Sequence, residues 1–162
     1  MSIKDNINIT FPDGNKREFE KGITGYQIAE SIAKSLAKEA IAINIDGIQK
    51  DLCDQINSDS SISIITLNTD EGLDIMRHTL TAQVLAKAVK TLYPEAKLAI
   101  GPTIEHGFYY DVLFEKPISS EDLPKIEKEM NKIISKGETI NKTIYKKLDA
   151  IKLFEEINET YK

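Results

Sequence analysis

Apolar and polar residues alternate from Ile7 to Phe11, the period of a half-buried strand. Pro12-Asp13-Gly14 follows, pairing a residue of preset φ with one free to take positive φ. The pattern predicts a hairpin whose return strand runs around Lys16 to Phe19. Thr24 stands three residues before Gln27, the spacing at which two side chains cap a helix start reciprocally, and Ile28, Ile32 and Leu36 recur at helical intervals. One short amphipathic helix is expected there. Alternation resumes from Ile41 to Ile45, breaks at the hairpin pair Asp46-Gly47, returns from Ile48 to Leu52 and ends in a last strand from Ser61 to Thr66. Two strands, a helix and three further strands specify a small α+β unit of β-grasp type, in which the helix lies across a mostly antiparallel sheet.

Asn68-Thr69-Asp70 marks a boundary, dividing the chain into residues 1–67 and 70–162. Leu73, Met76, Leu80, Val84, Ala88 and Leu92 then fit one long helix from about Glu71 to Tyr93, stopped by Pro94. Lys97 to Ile100 and Gly107 to Phe114 read as strands, with Gly101-Pro102 and Glu105-His106-Gly107 as breakers between them. Ser119 or Ser120 opens a helix that carries Ile126, Met130, Ile133 and Ile134 on one face and closes at Gly137. Ile140 to Tyr145 is expected as a strand, and a final helix runs from Asp149 to about Ile157 with no structural element after it. The second domain is therefore also α+β, with a long first helix.

Composition narrows the class further. With 41% hydrophobic and 29% charged residues, the chain is neither disordered nor fibrous. No apolar run approaches the ~18 residues of a membrane span, and no basic segment followed by an apolar stretch opens the chain, so a cytoplasmic protein without a membrane partner is expected. Cys53 is the only cysteine, which excludes an intramolecular disulfide and a multi-cysteine zinc site; it is expected as a buried small hydrophobe. The net charge of -5 is spread over both halves, so any contact with a polyanion must be local. Lys125, Lys128, Lys132 and Lys136, interleaved with Glu127 and Glu129, read as a solvated helix face. The densest segment is Gly101 to Asp111; as a tight hairpin it turns Phe108 and Tyr110 inward and Tyr109 and Asp111 toward water, with His106 in the turn.

Met76-Arg77-His78-Thr79, Leu92-Tyr93-Pro94, Ala99-Ile100-Gly101-Pro102 and Gly107-Phe108-Tyr109-Tyr110-Asp111 together resemble the second domain of bacterial threonyl-tRNA synthetases. Phe11-Pro12-Asp13-Gly14, Ile23-Thr24 with Ile28-Ala29, and Ile45-Asp46-Gly47 resemble that family's N-terminal TGS domain, in the same order and spacing. TGS domains also occur in GTPases and stringent-response proteins, so the family rests on the tandem. The resemblance implies an N-terminal fragment: a TGS domain plus an editing domain that hydrolyses serine wrongly attached to threonine tRNA. The class II core that charges tRNA would lie outside this chain. On that reading tRNA is the partner by way of the longer enzyme, the fragment needs no cofactor, and ATP, Mg and Zn belong to the full-length parent. The parent is expected as a homodimer and the fragment as a monomer. A free-standing trans-editing hydrolase, a tRNA-binding module and a purely structural pair of domains are the alternatives.

The family carries two histidines four residues apart on the long helix, so that both imidazoles face one pocket. His78 matches the first, but Gln83 falls at the second, with one extra residue between them. In a regular helix such a pair is ~140° out of register. A π-bulge, or a helix start after Thr79, between His78 and Val84 would return the two to one face; a regular ladder would leave His78 a boundary residue beside Leu85 and Val89. A carboxamide at position 83 can orient water but cannot take a proton near neutral pH. The resemblance further implies that Lys162, in the pair Tyr161-Lys162, belongs to the editing site, that Tyr110 and Asp111 line its amino-acid end, and that a cysteine and another histidine come from beyond the chain.

Overall fold

The computed structural model describes residues 5–159 and 161, and the chain divides into two compact units, Met1–Met76 and Arg77–Lys162. Both are α+β. In the first, β1 (Asn6–Thr10) and β2 (Lys16–Glu20) form the expected hairpin. β3 (Ile23–Thr24) leads into α1 (Gly25–Ile32) and α2 (Lys34–Glu39), followed by β4 (Ala40–Ile45), β5 (Ile48–Lys50), β6 (Gln55–Ile56) and β7 (Ser60–Thr66). The main sheet has the order β2-β1-β7-β4-β5, with β1 and β7 parallel and every other neighbour antiparallel. This is the β-grasp arrangement, with β3 and β6 paired in a small ladder beside it.

Isoleucine builds that unit's core. Ile7, Ile9, Ile28, Ile43, Ile56 and Ile62 form one buried cluster, in which each full burial is worth roughly 1.5–3 kcal/mol. Its turns follow their chemistry. Asp46 and Gly47 both take positive φ, 51° and 81°, as a two-residue hairpin requires, and the Asp46 carboxylate accepts the Ser61 N–H at 2.8 Å. Thr24 and Gln27 form the full capping box at the start of α1.

Two expectations for this unit fail. The single helix is broken at Ala33, which is extended at φ -161°, ψ 141°. The break leaves Ile32 in solvent and turns Ala37 into the core, so the Ile28, Ile32, Leu36 period does not describe one buried face. Cys53 is exposed. The chain turns over residues 51–54, where Asp54 N–H donates to the Asp51 carbonyl and its carboxylate accepts the Asp51 N–H; Leu52 takes the core position and Cys53 is left outside.

α3 (Asp70–Thr79) is capped by Thr69, whose Oγ1 accepts the Gly72 N–H at 3.1 Å. A Cβ on Gly72 would lie 1.9 Å from the Thr66 carbonyl oxygen, and Glu71 accepts from Asn44 at 3.4 Å. These contacts hold the first turns of the helix to the sheet unit, which is why that unit extends to Met76 rather than ending with the last strand.

The second unit takes up from Arg77. A π-helical segment, Leu80–Leu85, leads into α4 (Ala86–Leu92). Four short strands follow, β8 (Lys97–Leu98), β9 (Thr103–Ile104), β10 (Gly107–Phe108) and β11 (Val112–Leu113), then α5 (Leu123–Ser135) and α6 (Lys147–Glu156). Ala88, Val89, Leu98, Ile126 and Ile133 centre its core, and Tyr93 meets Phe114 edge to face at 5.2 Å. Ser119 closes the turn before α5, accepting the Glu121 N–H while the Asp122 carboxylate accepts its own, so α5 starts at Leu123. Gly137 ends it at φ 58°. The strand expected from Ile140 to Tyr145 does not form: these residues belong to no strand and stand in solvent, Ile144 at 85% exposure. No helix among the described residues is long and apolar enough to cross a membrane.

Candidate functional site

Two single-residue irregularities organise the second unit. The first is the π-segment, where the Ala86 N–H donates to the carbonyl of Thr81, five residues back instead of four. Thr81 inside it and Ala86 just after it are both buried, so residues five apart share a face. Thr81 also donates its hydroxyl to the Arg77 carbonyl at 2.8 Å. The extra residue between His78 and Gln83 is thus absorbed in the helix, and both side chains are exposed.

The second irregularity is in the hairpin. β8 pairs with β11 and β9 with β10, but five residue steps separate Leu98 from Thr103 while four separate Phe108 from Val112. One extra residue therefore lies between Ala99 and Pro102, a β-bulge of the kind that re-aims a neighbouring side chain. This is why the strand expected from Gly107 to Phe114 is broken. Single backbone bonds bridge the gap: Ala99 N–H to the Asp111 carbonyl at 2.9 Å, Asp111 N–H to Ile100 at 2.8 Å and Tyr109 N–H to Pro102 at 3.0 Å. Pro102 has no N–H to return.

The two irregularities meet at Gly101. A Cβ there would stand 2.7 Å from the Tyr110 ring and 2.8 Å from the Thr81 methyl group, so only glycine lets the bulge press against both. Tyr110, half-buried, lines a groove of about 450 Å³ with Lys97, Ala99, Asp111, Val112, Leu113 and Tyr161. It also borders an apolar cavity of about 410 Å³ that includes Leu85, Val89, Phe114 and Met130. The hairpin alternation holds, with Tyr109 and Asp111 exposed.

Gln83 lies in a different cleft, of about 240 Å³, with Val84, Lys87, Ile133 and Glu138. The Lys87 ammonium, hydrogen-bonded to Glu138, holds that carboxyl below its usual range. His78 lines neither cavity. The structure therefore joins Tyr110 to Asp111 and keeps Gln83 apart from them. Lys162 lies outside the described residues, and its neighbour Tyr161 is on the rim of the tyrosine groove. His106 is a solvent-exposed turn residue, and the α5 lysines face water, Lys125 on Asp122 and Lys132 on Glu129. Asp51, Cys53 and Asp54 present possible metal ligands within 4.8 Å of one another, but the two aspartates close their own turn.

Sequence reasoning missed three participants. Thr81 is fully buried between the two irregularities, Lys97 lines the groove, and Glu159 is buried near the end of the chain where no structural element was expected. Asn158, a residue tolerant of left-handed φ just past a helix, was the available signal for the last of these.

Residues 7–66 match the TGS domain family. The chain is 49% identical over 156 residues to a threonine-tRNA ligase of Acetivibrio thermocellus, covering 96% of this chain and 24% of that protein. It is 46% identical over 162 residues to the threonine-tRNA ligase of Halalkalibacterium halodurans and 48% identical over 160 residues to that of Anoxybacillus flavithermus, covering 99% of this chain and 25% of each. The chain thus carries a TGS domain and is similar, over nearly its whole length, to the N-terminal region of threonyl-tRNA synthetases; it spans about a quarter of the length of the curated relatives it matches.

Proposed function

We propose that this TGS-bearing chain is the tRNA-directed part of a threonine-tRNA ligase, and that the Tyr110–Asp111 groove of its second unit receives the serine-bearing 3' end of mischarged tRNA. One observation carries the reading: Tyr110 and Asp111, with Lys97 and Tyr161, line a single groove whose shape depends on the meeting of two one-residue irregularities at Gly101. Such irregularities cost regular hydrogen bonding and are concentrated at functional sites. An ammonium, a carboxylate and two phenols suit the α-amino group, the hydroxyl and the ester of a seryl-adenosine end.

The reaction assigned to the longer enzyme is ester hydrolysis. Water adds to the serine carbonyl carbon, the bond to the ribose oxygen breaks, and that oxygen leaves with a proton to give free serine and intact tRNA. The chain's own residues hold the substrate. Gln83 can orient water by its carboxamide but takes no proton near neutral pH, and it stands in a separate cleft from Tyr110. Among the described residues neither an imidazole nor a thiol lines the groove, and the role proposed for its lining is to hold the seryl end. A hydrolytic role of His78, Gln83 and Lys162 is assigned to the longer protein, where ATP-dependent charging of threonine tRNA with Mg and Zn also belongs.

Deacylation of seryl-tRNA by the longer protein tests the assignment. The expected result is release of serine that falls at least tenfold with Tyr110→Ala and Asp111→Asn. Unchanged release in both variants overturns it. His78→Ala separates the helix from the groove: a further loss places the imidazole at the reaction, and an equal rate restricts it to the helix surface.

A further inference from the structure

α6 ends in a Schellman turn. The Glu159 N–H donates to the Phe154 carbonyl at 2.8 Å and the Asn158 N–H to Glu155 at 3.0 Å, while Asn158 takes φ 60°. The turn drives Glu159 inward until it is only 6% exposed, the one buried charged side chain among the described residues. Charged residues are almost never buried without a partner. Its Oε1 lies 2.8 Å from the Lys90 ammonium, and its Oε2 accepts the Leu98 N–H at 3.3 Å. Lys90 is itself anchored, donating to the Pro94 carbonyl at 2.7 Å and the Ala96 carbonyl at 2.9 Å.

These contacts converge on β8. Leu98 belongs to that strand, and its neighbour Lys97 donates to the Asn158 carbonyl at 2.7 Å while also lining the Tyr110–Asp111 groove. Tyr161, two residues past Glu159, stands on the same groove. A buried ion pair contributes little net stability, because desolvation offsets the attraction; its best attested use is to fix one arrangement among several. Here the arrangement fixed is that of the segment carrying Tyr161.

We propose that Lys90 and Glu159 form a clasp that positions Tyr161 on the rim of the Tyr110–Asp111 groove, making both of them positioning residues for ligand held there. The assignment of the ligand rests on the reading given above for the groove; the placement of Tyr161 does not. Glu159→Ala removes both contacts of the carboxylate, to the Lys90 ammonium and to the Leu98 N–H. Glu159→Gln keeps one acceptor oxygen where the carboxylate used two, so it retains either the Leu98 N–H contact or the Lys90 contact and turns its NH2 toward the other donor. Lys90→Gln leaves the Glu159–Leu98 contact and serves as an independent second variant.

The experiment is done on the whole chain, with nuclear Overhauser contacts of the Tyr161 ring as one readout. The other is the affinity of a stable probe, serine joined by an amide to 3'-amino-3'-deoxyadenosine. In Glu159→Ala and in Lys90→Gln the contacts from Tyr161 to the groove weaken or vanish and the probe's Kd rises about tenfold. In Glu159→Gln, which keeps one of the two contacts, both effects are smaller than in Glu159→Ala, while contacts within the hairpin stay unchanged in all three. Tyr161 contacts that persist in Glu159→Ala and Lys90→Gln overturn the clasp, as does their loss without any change in probe affinity. If the unmodified chain fails to bind the probe, the reading of the groove falls, and the Tyr161 contacts alone then decide whether the clasp places that ring.

Discussion

The two units spend their irregularities in different places. In the first, departures from regular structure sit at turns and edges: a two-residue hairpin at Asp46-Gly47, a break at Ala33 between two helices, and a tight turn that puts Cys53 in solvent. Its core is a sheet filled with isoleucine, whose one register slip lies at the start of β4 between Ala40 and Ala42, and among the described residues no cluster of reactive side chains is buried within it. In the second, the departures lie in the middle of elements. A π-turn interrupts a helix and a bulge interrupts a hairpin, and both press on Gly101 beside the groove that gathers Tyr110, Asp111, Lys97 and Tyr161. A fold can be held by ladders and a filled core; a site is aimed by local exceptions to them.

That contrast can be broken deliberately. The largest effect is expected from Ile43→Ala, at a fully buried residue of the first unit: a loss of about 2–5 kcal/mol in denaturant unfolding, from lost burial and the cavity left behind. The groove should survive it. A loss of probe binding at denaturant concentrations where the second unit remains folded would show that the two properties are not separable. Gly101→Ala is the complementary change. Its Cβ must displace the Tyr110 ring or the Thr81 methyl, costing about 1–3 kcal/mol by overpacking, and probe affinity should fall more steeply than stability. Equal affinity in a folded Gly101→Ala protein would remove the meeting point from the account.

Smaller changes sharpen the comparison. Thr24→Ala deletes one half of the capping box of α1 and should cost about 1 kcal/mol in the first unit, read as a lower denaturation midpoint, with the groove untouched. On the surface of the second unit, the hydrogen bond from Lys125, together with the Ser119 N–H, lowers the Asp122 carboxyl from 3.8 to about 2. Because the folded value lies below the unfolded one, the stability this group contributes is present above about pH 4 and is lost as pH falls toward 2. Lys125→Met should move the Asp122 midpoint, followed by carboxyl NMR, back toward 3.8 with little change at neutral pH. An unmoved midpoint would mean that the Ser119 backbone alone depresses it.

The sheet unit was legible because its signals are local and redundant. Alternation, the Asp-Gly turn and the Thr24–Gln27 spacing each specify the element they lie in, and the register then follows from which face must be buried. Ile32 misled for a physical reason: helical spacing of apolar residues cannot tell a buried stripe from a helix that stops and restarts, and the chain breaks one residue later. In the second unit the π-turn was foreseeable from a counting mismatch between His78 and Gln83, since an inserted residue must go somewhere. What the mismatch could not reveal is that Gln83 and Tyr110 would line separate cavities. That depends on tertiary packing, as does the burial of Glu159 through a pair with a lysine 69 positions earlier in the chain. Ile140 to Tyr145 has the composition of a strand, but strand formation depends on tertiary pairing as well as composition, and the segment is not in a strand.

The central claim is that the groove at Tyr110 and Asp111 is the seat for a serine-bearing adenosine end, and that Gln83's cleft is not. Chemical-shift mapping of the isotopically labelled chain, titrated with serine amide-linked to 3'-amino-3'-deoxyadenosine, tests this most directly. The account predicts saturable shifts at Lys97, Ala99, Tyr110, Asp111 and Tyr161, with Gln83, Lys87 and Glu138 unmoved. Shifts centred on Gln83 and Lys87, or no saturable shifts anywhere in the second unit, would contradict it.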